Sequence, residues 1–391
     1  MRKNEAWILD ELSGRRKAGL ERDPLVLQRA GSHAMQDGRP LLSFSSNDYL
    51  GLAGDPRVIE GAVWAVREWG AGATASRLVA GTLECHQELE RRMAALKGYE
   101  AGLLFGSGYS ANAGIVTSLA GRGDHVFLDR LAHASLVDAA VLSRAALRRF
   151  RHNDPGHLED LLRRCPAGGR RIVVTESVFS MDGDLAPLPE ITSVAGSHGA
   201  MLVVDEAHAT GVFGPGGAGL VKAWGLEDRV TLTLATLGKA LGGYGGCVCC
   251  SAAMRRWLIH QARPFIYSTA LPPAMAVAGL AALEALAGNP GLGAAVLRRA
   301  EQLRERLHAG GLDTGASASQ IVPVHTGGNE RAIGMQRRLL EQGILAVAIR
   351  PPTVPAGTAR LRFSVTAAHT EEDLARAADA CIRAAREEGL A

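Results

Sequence analysis

Short apolar runs recur between about residues 100 and 240 of the chain, and all but the first end on a polar residue. Continuous apolar runs of this length are typical of strands that are buried on both faces, as in a parallel sheet. The runs are 102–105, 125–129, 171–176, 201–205 and 230–236. Helical patterns lie between them, and 86–98 is one example, with Leu89, Met93 and Leu96 on one face. The alternation predicts an α/β domain, a mostly parallel sheet with helices on both faces.

The pattern changes after about residue 290. Helical stretches at 295–310, 330–343 and 371–389 flank strand-like runs at 321–324 and 361–365, which predicts a smaller α+β domain. Thr370 and Asp373 have the spacing of a helix cap before the last helix, whose apolar side holds Leu374, Ala378, Cys381 and Ile382. Residues 1–40 are predicted to form an amphipathic helix and a connecting arm. We therefore expect an N-terminal arm at 1–45, a large α/β domain at 46–290 and a C-terminal domain at 291–391.

Composition and charge exclude several classes of protein. The 43 Lys and Arg against 40 Asp and Glu leave a net charge of only +3, which favours neither nucleic acid nor a membrane surface as the main partner. The apolar stretch 271–288 contains two prolines and Glu284, and it predicts a buried helix and not a membrane span. Cys247, Cys249 and Cys250 are expected as small apolar side chains on a strand, and no cysteine pair is spaced for a metal. We expect a cytoplasmic protein without a metal.

Two nucleotide-binding motifs occur in the chain and are discounted. The segments 70–75 and 214–219 match a dinucleotide fingerprint, but that fingerprint needs a strand directly before it and a helix directly after it. Asp205 to His208 spell a helicase box, which works only beside a phosphate loop. At 238–239 a Gly-Lys pair is followed by Ala240, where a phosphate loop has Ser or Thr to hold magnesium. An NAD enzyme and a nucleotide-hydrolysing motor are therefore disfavoured.

Asp205 and Lys239 favour a different chemistry, because each ends a predicted buried strand. In a glycine-rich turn Lys239 would be poorly solvated, which lowers the pKa of its amine and frees it to form a Schiff base. A carboxylate nearby would keep the pyridine nitrogen of pyridoxal phosphate protonated, so that the ring can withdraw electrons. A structural salt bridge and a solvated lysine remain the alternatives from these two residues alone.

Five further segments accompany this pair in a characteristic order. With them the chain closely resembles the α-oxoamine synthases, pyridoxal-phosphate enzymes of fold type I, from residue 44 to residue 370. The segments that carry the resemblance are 44–52, 76–82, 106–112, 133–136, 176–184, 205–211 and 236–239. One departure lies at 72–77, where this chain reads Gly-Ala-Thr-Ala-Ser-Arg and many members read Gly-Ser-Gly-Gly-Ser-Arg.

The resemblance implies how the chain holds pyridoxal phosphate. Lys239 corresponds to the Schiff-base lysine and Asp205 to the partner of the pyridine nitrogen. Gly108 and Tyr109 match the turn whose backbone amides meet the phosphate, which suits glycine before a helix N-terminus. Thr236 resembles the hydroxyl that also reaches the phosphate. A core position for the Tyr109 ring is the alternative.

Further contacts to the cofactor follow from the same resemblance. His133 matches the imidazole stacked on the ring, His208 the residue at the ring oxygen, and Ser180 another polar contact. A satisfied structural histidine is the alternative for both histidines. Ser268 and Thr269 resemble a segment that the neighbouring subunit donates, which implies a homodimer with active sites at the interface.

The implied substrate contacts lie at both ends of the chain. Arg362 corresponds to the arginine that holds the amino-acid carboxylate, since its planar fork suits a bidentate carboxylate. Thr353 matches an acyl-substrate contact, and Asn47 and His133 are further substrate contacts. Arg22 is a candidate for an N-terminal substrate arginine. The catalytic set implied is Lys239, His133 and Asp205.

The stretch around Thr353 points to one branch of the family. The resemblance there is to the members that condense L-alanine with pimeloyl-CoA, or with the pimeloyl acyl-carrier protein, in biotin biosynthesis. Members that make 5-aminolevulinate, 2-amino-3-oxobutyrate or sphingoid bases remain alternatives. A non-catalytic subunit of this fold would have lost Lys239, and a transcription regulator would need a DNA-binding domain for which the first 40 residues leave no room.

Overall fold

The computed structural model describes residues 3–28 and 30–390. The strands in this part of the chain are β1 (His33–Gln36), β2 (Arg39–Ser43), β3 (Ala101–Phe105), β4 (His125–Asp129), β5 (Ala146–Phe150), β6 (Arg171–Glu176), β7 (Met201–Asp205), β8 (Leu232–Thr236), β9 (Gly246–Cys250), β10 (Ile321–Gly327), β11 (Ile344–Leu345), β12 (Val347–Ile349) and β13 (Ala359–Ser364). The helices are α1 (Ala6–Lys17), α2 (Pro56–Trp69), α3 (Glu84–Lys97), α4 (Gly108–Leu119), α5 (Ala134–Ser143), α6 (Pro155–Arg163), α7 (Leu188–Ser197), α8 (Leu220–Ala223), α9 (Ala252–Gln261), α10 (Arg263–Ile266), α11 (Pro273–Gly288), α12 (Leu292–Ala309), α13 (Asn329–Glu341) and α14 (Glu371–Glu387).

Seven strands form the main sheet, in the order β3-β9-β8-β7-β6-β4-β5. The pairs among β5, β4, β6, β7 and β8 are parallel, and β9 is antiparallel to both of its neighbours. The prediction of a mostly parallel sheet is therefore confirmed. The register places Glu176 opposite Asp205, so that the ends of β6 and β7 lie side by side.

The core of this sheet explains why its strands read as continuous apolar runs. Leu103, Val126, Val174 and Val203 are fully buried and belong to one apolar cluster with the helices that cover the sheet. The thiols of β9 are free and buried, as predicted for small apolar residues. Strand β5 was not predicted because two of its five residues are Arg148 and Arg149. It is an edge strand with one buried position, so the apolar signal is missing.

The apolar stretch near residue 280 forms α11, as expected for a buried helix. Ala276, Ala278 and Ala282 are buried, and a Cβ at Gly279 would come within 3.0 Å of the Leu89 side chain. In the described part of the chain no single helix has the length and apolarity to cross a membrane. The two helices α11 and α12 pass that test only as a pair, by length and composition, and they are bent by 77° at the break between them.

Contacts divide the chain into two compact units. One unit comprises 47–180 and 184–296, and the other comprises 1–46, 181–183 and 297–391. In the second unit β10, β13 and β12 form an antiparallel sheet, and β1, β2 and β11 form another small sheet. The N-terminal residues are thus grouped with the C-terminal ones.

The second unit confirms some local predictions and corrects others. Thr370 and Asp373 cap α14 reciprocally, with hydrogen bonds of 3.1 and 2.9 Å, as their spacing predicted. The helix expected near the N-terminus forms as α1, but its Trp7, Leu9 and Leu12 are exposed, so it has no buried apolar face in this chain. The connecting arm contains the hairpin β1–β2, which the sequence pattern did not reveal.

Thr74 lies in the left-handed backbone region, with φ of +61°. It stands where the family resemblance implies Gly, and a β-branched residue is strained in that region. We expect Thr74→Gly to raise the free energy of unfolding by about 1 kcal/mol, since relief of strain outweighs the added freedom of the unfolded chain. Urea unfolding measures this difference.

Ala75 supplies the matched control, because it is the next residue and does not have a positive φ. Ala75→Gly should lower the free energy of unfolding by about 0.5–1 kcal/mol. The prediction is wrong if both glycine variants lose stability alike.

Candidate active site

A cavity of about 170 Å³ opens where the main sheet's parallel strands end. Ligand sites in such sheets lie beyond the carboxyl ends of the strands. Of the four polar strand ends, Glu176, Asp205 and Thr236 line the cavity, whereas Asp129 does not. The lining residues are Gly108, Tyr109, Asn112, His133, Ser135, Glu176, Asp205, Ala207, His208, Leu234, Thr236 and Lys239.

The Asp205 carboxylate is held by two donors. Its Oδ1 accepts a hydrogen bond from the backbone N–H of Ala207 at 2.8 Å, and its Oδ2 accepts one from Nδ2 of Asn112 at 2.8 Å. Asp205 and Asn112 are both buried. The carboxylate is therefore fixed in orientation by the turn that follows β7 and by α4.

A buried ion pair anchors that same turn. Lys97 Nζ lies 2.8 Å from Glu206 Oε2 and 2.7 Å from Thr210 Oγ1, and both charged side chains are at most 1% exposed. The second oxygen of Glu206 accepts from the backbone N–H of Val221 at 2.9 Å. Neither Lys97 nor Glu206 was singled out from the sequence. Their ion pair fixes Glu206 in place. It thereby also restrains Asp205, which precedes Glu206, and the segment that follows it as far as His208.

Lys239 lies at the head of a chain of hydrogen bonds. Its Nζ is 2.7 Å from His208 Nε2, and His208 Nδ1 is 2.7 Å from the Tyr49 hydroxyl. Tyr49 donates to Oδ1 of Asn47 at 3.2 Å. The hydroxyl therefore accepts from Nδ1–H of His208, and Nε2 is left to accept from the Lys239 ammonium. Lys239 is half-buried, so it is neither a fully solvated lysine nor a core residue.

His133 lies at the N-terminus of α5. Its backbone N–H donates to Oε1 of Glu176 at 2.6 Å, and its Nδ1 is 2.8 Å from Ser135 Oγ. Burial lowers the pKa of His133, and the charge of Lys239 lowers it further against the opposing effect of Asp205. Burial, together with the Asp205 carboxylate, raises the pKa of Glu176 well above its usual range. The cavity thus has a neutral imidazole beside a carboxyl that resists ionisation.

The N-terminus of α4 forms the opposite side of the cavity. A Cβ at Gly108 would lie 3.7 Å from Thr236 Oγ1, which places the helix N-terminus beside that hydroxyl. A Cβ on Gly246 would come within 3.0 Å of Gly108 N, so β9 can approach this turn only with glycine. A helix N-terminus with an adjacent hydroxyl is suited to bind a phosphate.

These residues fit pyridoxal phosphate. The helix N-terminus and Thr236 suit its phosphate, the Asp205 carboxylate suits its pyridine nitrogen, and Lys239 supplies an amine. Asn112 also lines this cavity, and its Oδ1 is buried without a hydrogen-bond partner. Tyr109 is half exposed, and its hydroxyl donates to Asp138, so the alternative of a core aromatic is wrong.

Three cofactor candidates do not line the cavity in this chain. Ser180 is buried, and it follows Glu176 by four residues. Ser268 and Thr269 are exposed. Thr269 forms an isolated antiparallel bridge with Ser76, which ties this segment to the one that contains the unusual 72–77 sequence.

The other substrate candidates belong to the second unit. Arg22 Nη2 donates to Thr353 Oγ1 at 3.3 Å and to the carbonyl of Pro351 at 3.3 Å, although 331 residues separate Arg22 from Thr353. Arg362 is buried on β13, and its Nη1 donates to Ser364 Oγ at 2.8 Å. Two side chains predicted separately as substrate contacts are therefore brought together.

Comparison with known proteins defines the class. The sequence model of the aminotransferase class I and II family matches residues 39–381, and the chain belongs to this family. Its fold is the type I fold of pyridoxal-phosphate enzymes, and pyridoxal phosphate is its cofactor. The expected α-oxoamine synthase resemblance is confirmed by the individual relatives.

Among those relatives, an 8-amino-7-oxononanoate synthase from Geobacter sulfurreducens is 48% identical over 386 residues, which cover 98% of this chain and 99% of the relative. A lysine-to-alanine variant of a serine palmitoyltransferase from S. paucimobilis, solved with a bound PLP–myriocin aldimine, has a TM-score of 0.93 at 33% identity, and the match covers 99% of each chain. An 8-amino-7-oxononanoate synthase from Francisella tularensis has a TM-score of 0.77 at 29% identity, over 89% of this chain and 99% of that one.

Proposed function

We propose that this chain is an acyltransferase that condenses L-alanine with a pimeloyl thioester. The products are 8-amino-7-oxononanoate, carbon dioxide and the free thiol, a step of biotin biosynthesis. The observation that carries the proposal is the cavity that joins Lys239, Asp205 and His133. It occurs in a chain that is 48% identical, over nearly its whole length, to a synthase of that name.

Pyridoxal phosphate, when bound, supplies an electron sink for the carbanion formed at the alanine Cα. Asp205 has the role of keeping the pyridine nitrogen protonated, and its two hydrogen-bond donors hold it in place for that role. Gly108, Tyr109 and Thr236 bind the phosphate. The family resemblance assigns Ser180 a polar contact with the cofactor as well, although Ser180 does not line the cavity in this chain.

Lys239 is the base in this proposal. Its amine removes the Cα proton of alanine and later returns a proton to the product. His208 holds that amine at 2.7 Å, and Tyr49 and Asn47 hold His208 in turn. The proton is thereby transferred at a nitrogen of defined position.

The proposed substrate contacts follow from the family resemblance. The planar fork of Arg362 binds the alanine carboxylate, and Asn47 and His133 contact the substrate beside the cofactor. Arg22 and Thr353 contact the acyl chain together, and their mutual hydrogen bond supports a joint role.

We also propose that the protein is a cytoplasmic homodimer. Ser268 and Thr269 would contact the cofactor of the partner subunit, and their exposure in a single chain supports this role. Several apolar side chains of the same unit are largely exposed, as expected of a surface that a second copy covers. They are Val79 at 82%, Tyr267 at 71%, and Val141 and Leu142 at 63%. The cytoplasmic location rests on composition and net charge.

The test is a direct assay of the purified, pyridoxal-phosphate-loaded protein. We expect thiol release and 8-amino-7-oxononanoate with L-alanine and a pimeloyl thioester. Parallel reactions with glycine and L-serine address the other branches of the family, including the serine palmitoyltransferases with similar folds. Turnover with glycine or serine and none with alanine would contradict the substrate assignment. Activity only after addition of a second, different chain would favour a non-catalytic subunit.

A further inference from the structure

Asn112 and Ser135 link two residues of the catalytic set. Asn112 Nδ2 lies 2.8 Å from Asp205 Oδ2 and 3.0 Å from Ser135 Oγ. Ser135 Oγ lies 2.8 Å from Nδ1 of His133. Asn112 and Ser135 are each 1% exposed and Asp205 is 6% exposed, so water does not compete for the two hydrogen bonds of Asn112, whereas His133 lies at an exposed position at the other end. The four side chains form one continuous line of hydrogen bonds.

The direction of each hydrogen bond follows from the first acceptor. An ionised carboxylate only accepts, so the Asn112 amide turns its NH₂ group toward Asp205. The opposite assignment would bring Oδ1 of Asn112 against Oδ2 of Asp205. The NH₂ group then also donates to Ser135 Oγ, and the hydroxyl proton of Ser135 is directed at His133 Nδ1. The backbone N–H of Ser135 lies 3.2 Å from that same nitrogen.

We propose that Asn112 and Ser135 are positioning residues that hold His133 as a neutral imidazole protonated on Nε2. Two N–H or O–H donors converge on Nδ1, so this nitrogen accepts and the single ring proton resides on the other. This inference rests on the proposed function, because that function makes His133 a contact of the substrate. His133 then offers an N–H donor to a carbonyl or carboxylate oxygen of the substrate and does not act as a base.

Protonation of Nδ1 would disrupt the whole line. The Ser135 hydroxyl would have to reverse in order to accept from Nδ1–H, and its proton would then face the Asn112 amide. The backbone N–H of Ser135 would face a second N–H. The lowered pKa of His133, caused by burial and by Lys239, agrees with this arrangement.

Nitrogen NMR of the pyridoxal-phosphate-loaded protein tests the proposal directly. With histidine labelled by ¹⁵N, protonated and unprotonated ring nitrogens have distinct chemical shifts, and loss of signals in His133→Gln identifies His133. We expect Nδ1 to be unprotonated and Nε2 protonated in the wild type. A wild-type His133 with its proton on Nδ1, or on both nitrogens, would overturn the proposal before any variant is made.

Variants of the linking residues measure the consequence. Ser135→Ala removes the hydroxyl and leaves only the backbone N–H on Nδ1, so signals of a second tautomer, protonated on Nδ1, should appear for His133, with kcat reduced about tenfold. Ser135→Thr keeps the hydroxyl and should restore the wild-type signals. Ser143→Ala removes another buried hydroxyl of α5, which donates to the Ala140 carbonyl, and should change neither property. Equal effects of Ser135→Ala and Ser143→Ala would mean that Ser135 is only structural.

Asn112→Leu tests the other end of the line. Because Asp205 loses one donor, the dissociation constant for pyridoxal phosphate should rise about tenfold, as measured by titration of the apoprotein. An unchanged constant would contradict the role of Asn112. Neither the nitrogen signals nor this titration uses alanine or a thioester. A wild type that makes no product yet shows the expected tautomer would refute the proposed function alone.

Discussion

Lys239→Ala is expected to abolish turnover, with a fall in kcat of about 10³-fold or more. The variant lacks the amine that binds the cofactor covalently and that moves the Cα proton. His208 loses the partner that lies 2.7 Å from its Nε2, but the rest of the cavity is unchanged. The visible absorbance that pyridoxal phosphate gains through its bond to a lysine should disappear as well. Thiol release and the absorbance spectrum measure the two effects.

Lys222→Ala is the matched control for the loss of a lysine. Lys222 pairs with Glu227 at the end of α8 and does not line the cavity. We expect this variant to keep the wild-type spectrum and turnover. Visible absorbance and turnover that persist in Lys239→Ala would refute the assignment of Lys239.

His152→Gln is expected to lower the free energy of unfolding by about 3–5 kcal/mol. The His152 ring lies between two carboxylates, 2.9 Å from Asp129 Oδ1 and 2.7 Å from Asp184 Oδ2. Asp129 is fully buried, so removal of the cation leaves buried negative charge without its partner. Urea unfolding at pH 7 measures the loss. His260→Gln, at an exposed position on α9, should stay within about 0.5 kcal/mol of the wild type.

The same contribution depends on pH in a defined direction. Burial alone would lower the pKa of His152, but the hydrogen bonds and charges of Asp129 and Asp184 outweigh it and raise the pKa to about 10. Since the folded pKa lies above the unfolded value of about 6.5, the stabilisation is complete below pH 6.5 and is lost as the pH rises through about 10. The difference between wild type and His152→Gln should therefore shrink from pH 7 to pH 10. A difference that stays constant over this interval would refute the ion-pair explanation.

Asp129 shows where reasoning from the sequence reached its limit. Like Glu176 and Asp205, it stands at the end of an apolar run, and the sequence alone gives no reason to treat these three carboxylates differently. The fold instead pairs Asp129 with His152, which lies 23 residues further along the chain, away from the cavity lining. An apolar run reports that a strand is buried and where it ends, because burial is a local property of each residue. It does not report which neighbour will meet the end of the strand.

The roles of Asn112, Tyr49 and Ser135 were hidden for a similar reason. All three lie inside segments that carry the family resemblance, so the signal was present in the sequence. Asn112 meets Asp205 at 2.8 Å and Tyr49 meets His208 at 2.7 Å only because separate elements pack together. Ser135 contacts His133 within the start of one helix, and its link to Asn112 at 3.0 Å again needs the packing of two elements. A polar residue in a motif does not reveal its partner.

By itself, the sequence determined the mostly parallel sheet, the buried helix α11, the cap of α14 and the pair Asp205 and Lys239 as a candidate for cofactor chemistry. These follow from periodicity, strand ends and motif order, which are local along the chain. The tertiary structure alone decided that β9 runs antiparallel between β3 and β8, and that Thr74 adopts a left-handed backbone. It also decided that Arg22 meets Thr353 across 331 residues of sequence. Such features depend on strand register and on contacts between residues that are far apart in the sequence. The entropy cost of closing the intervening loops must be outweighed by these contacts, and a short window of sequence does not contain both partners.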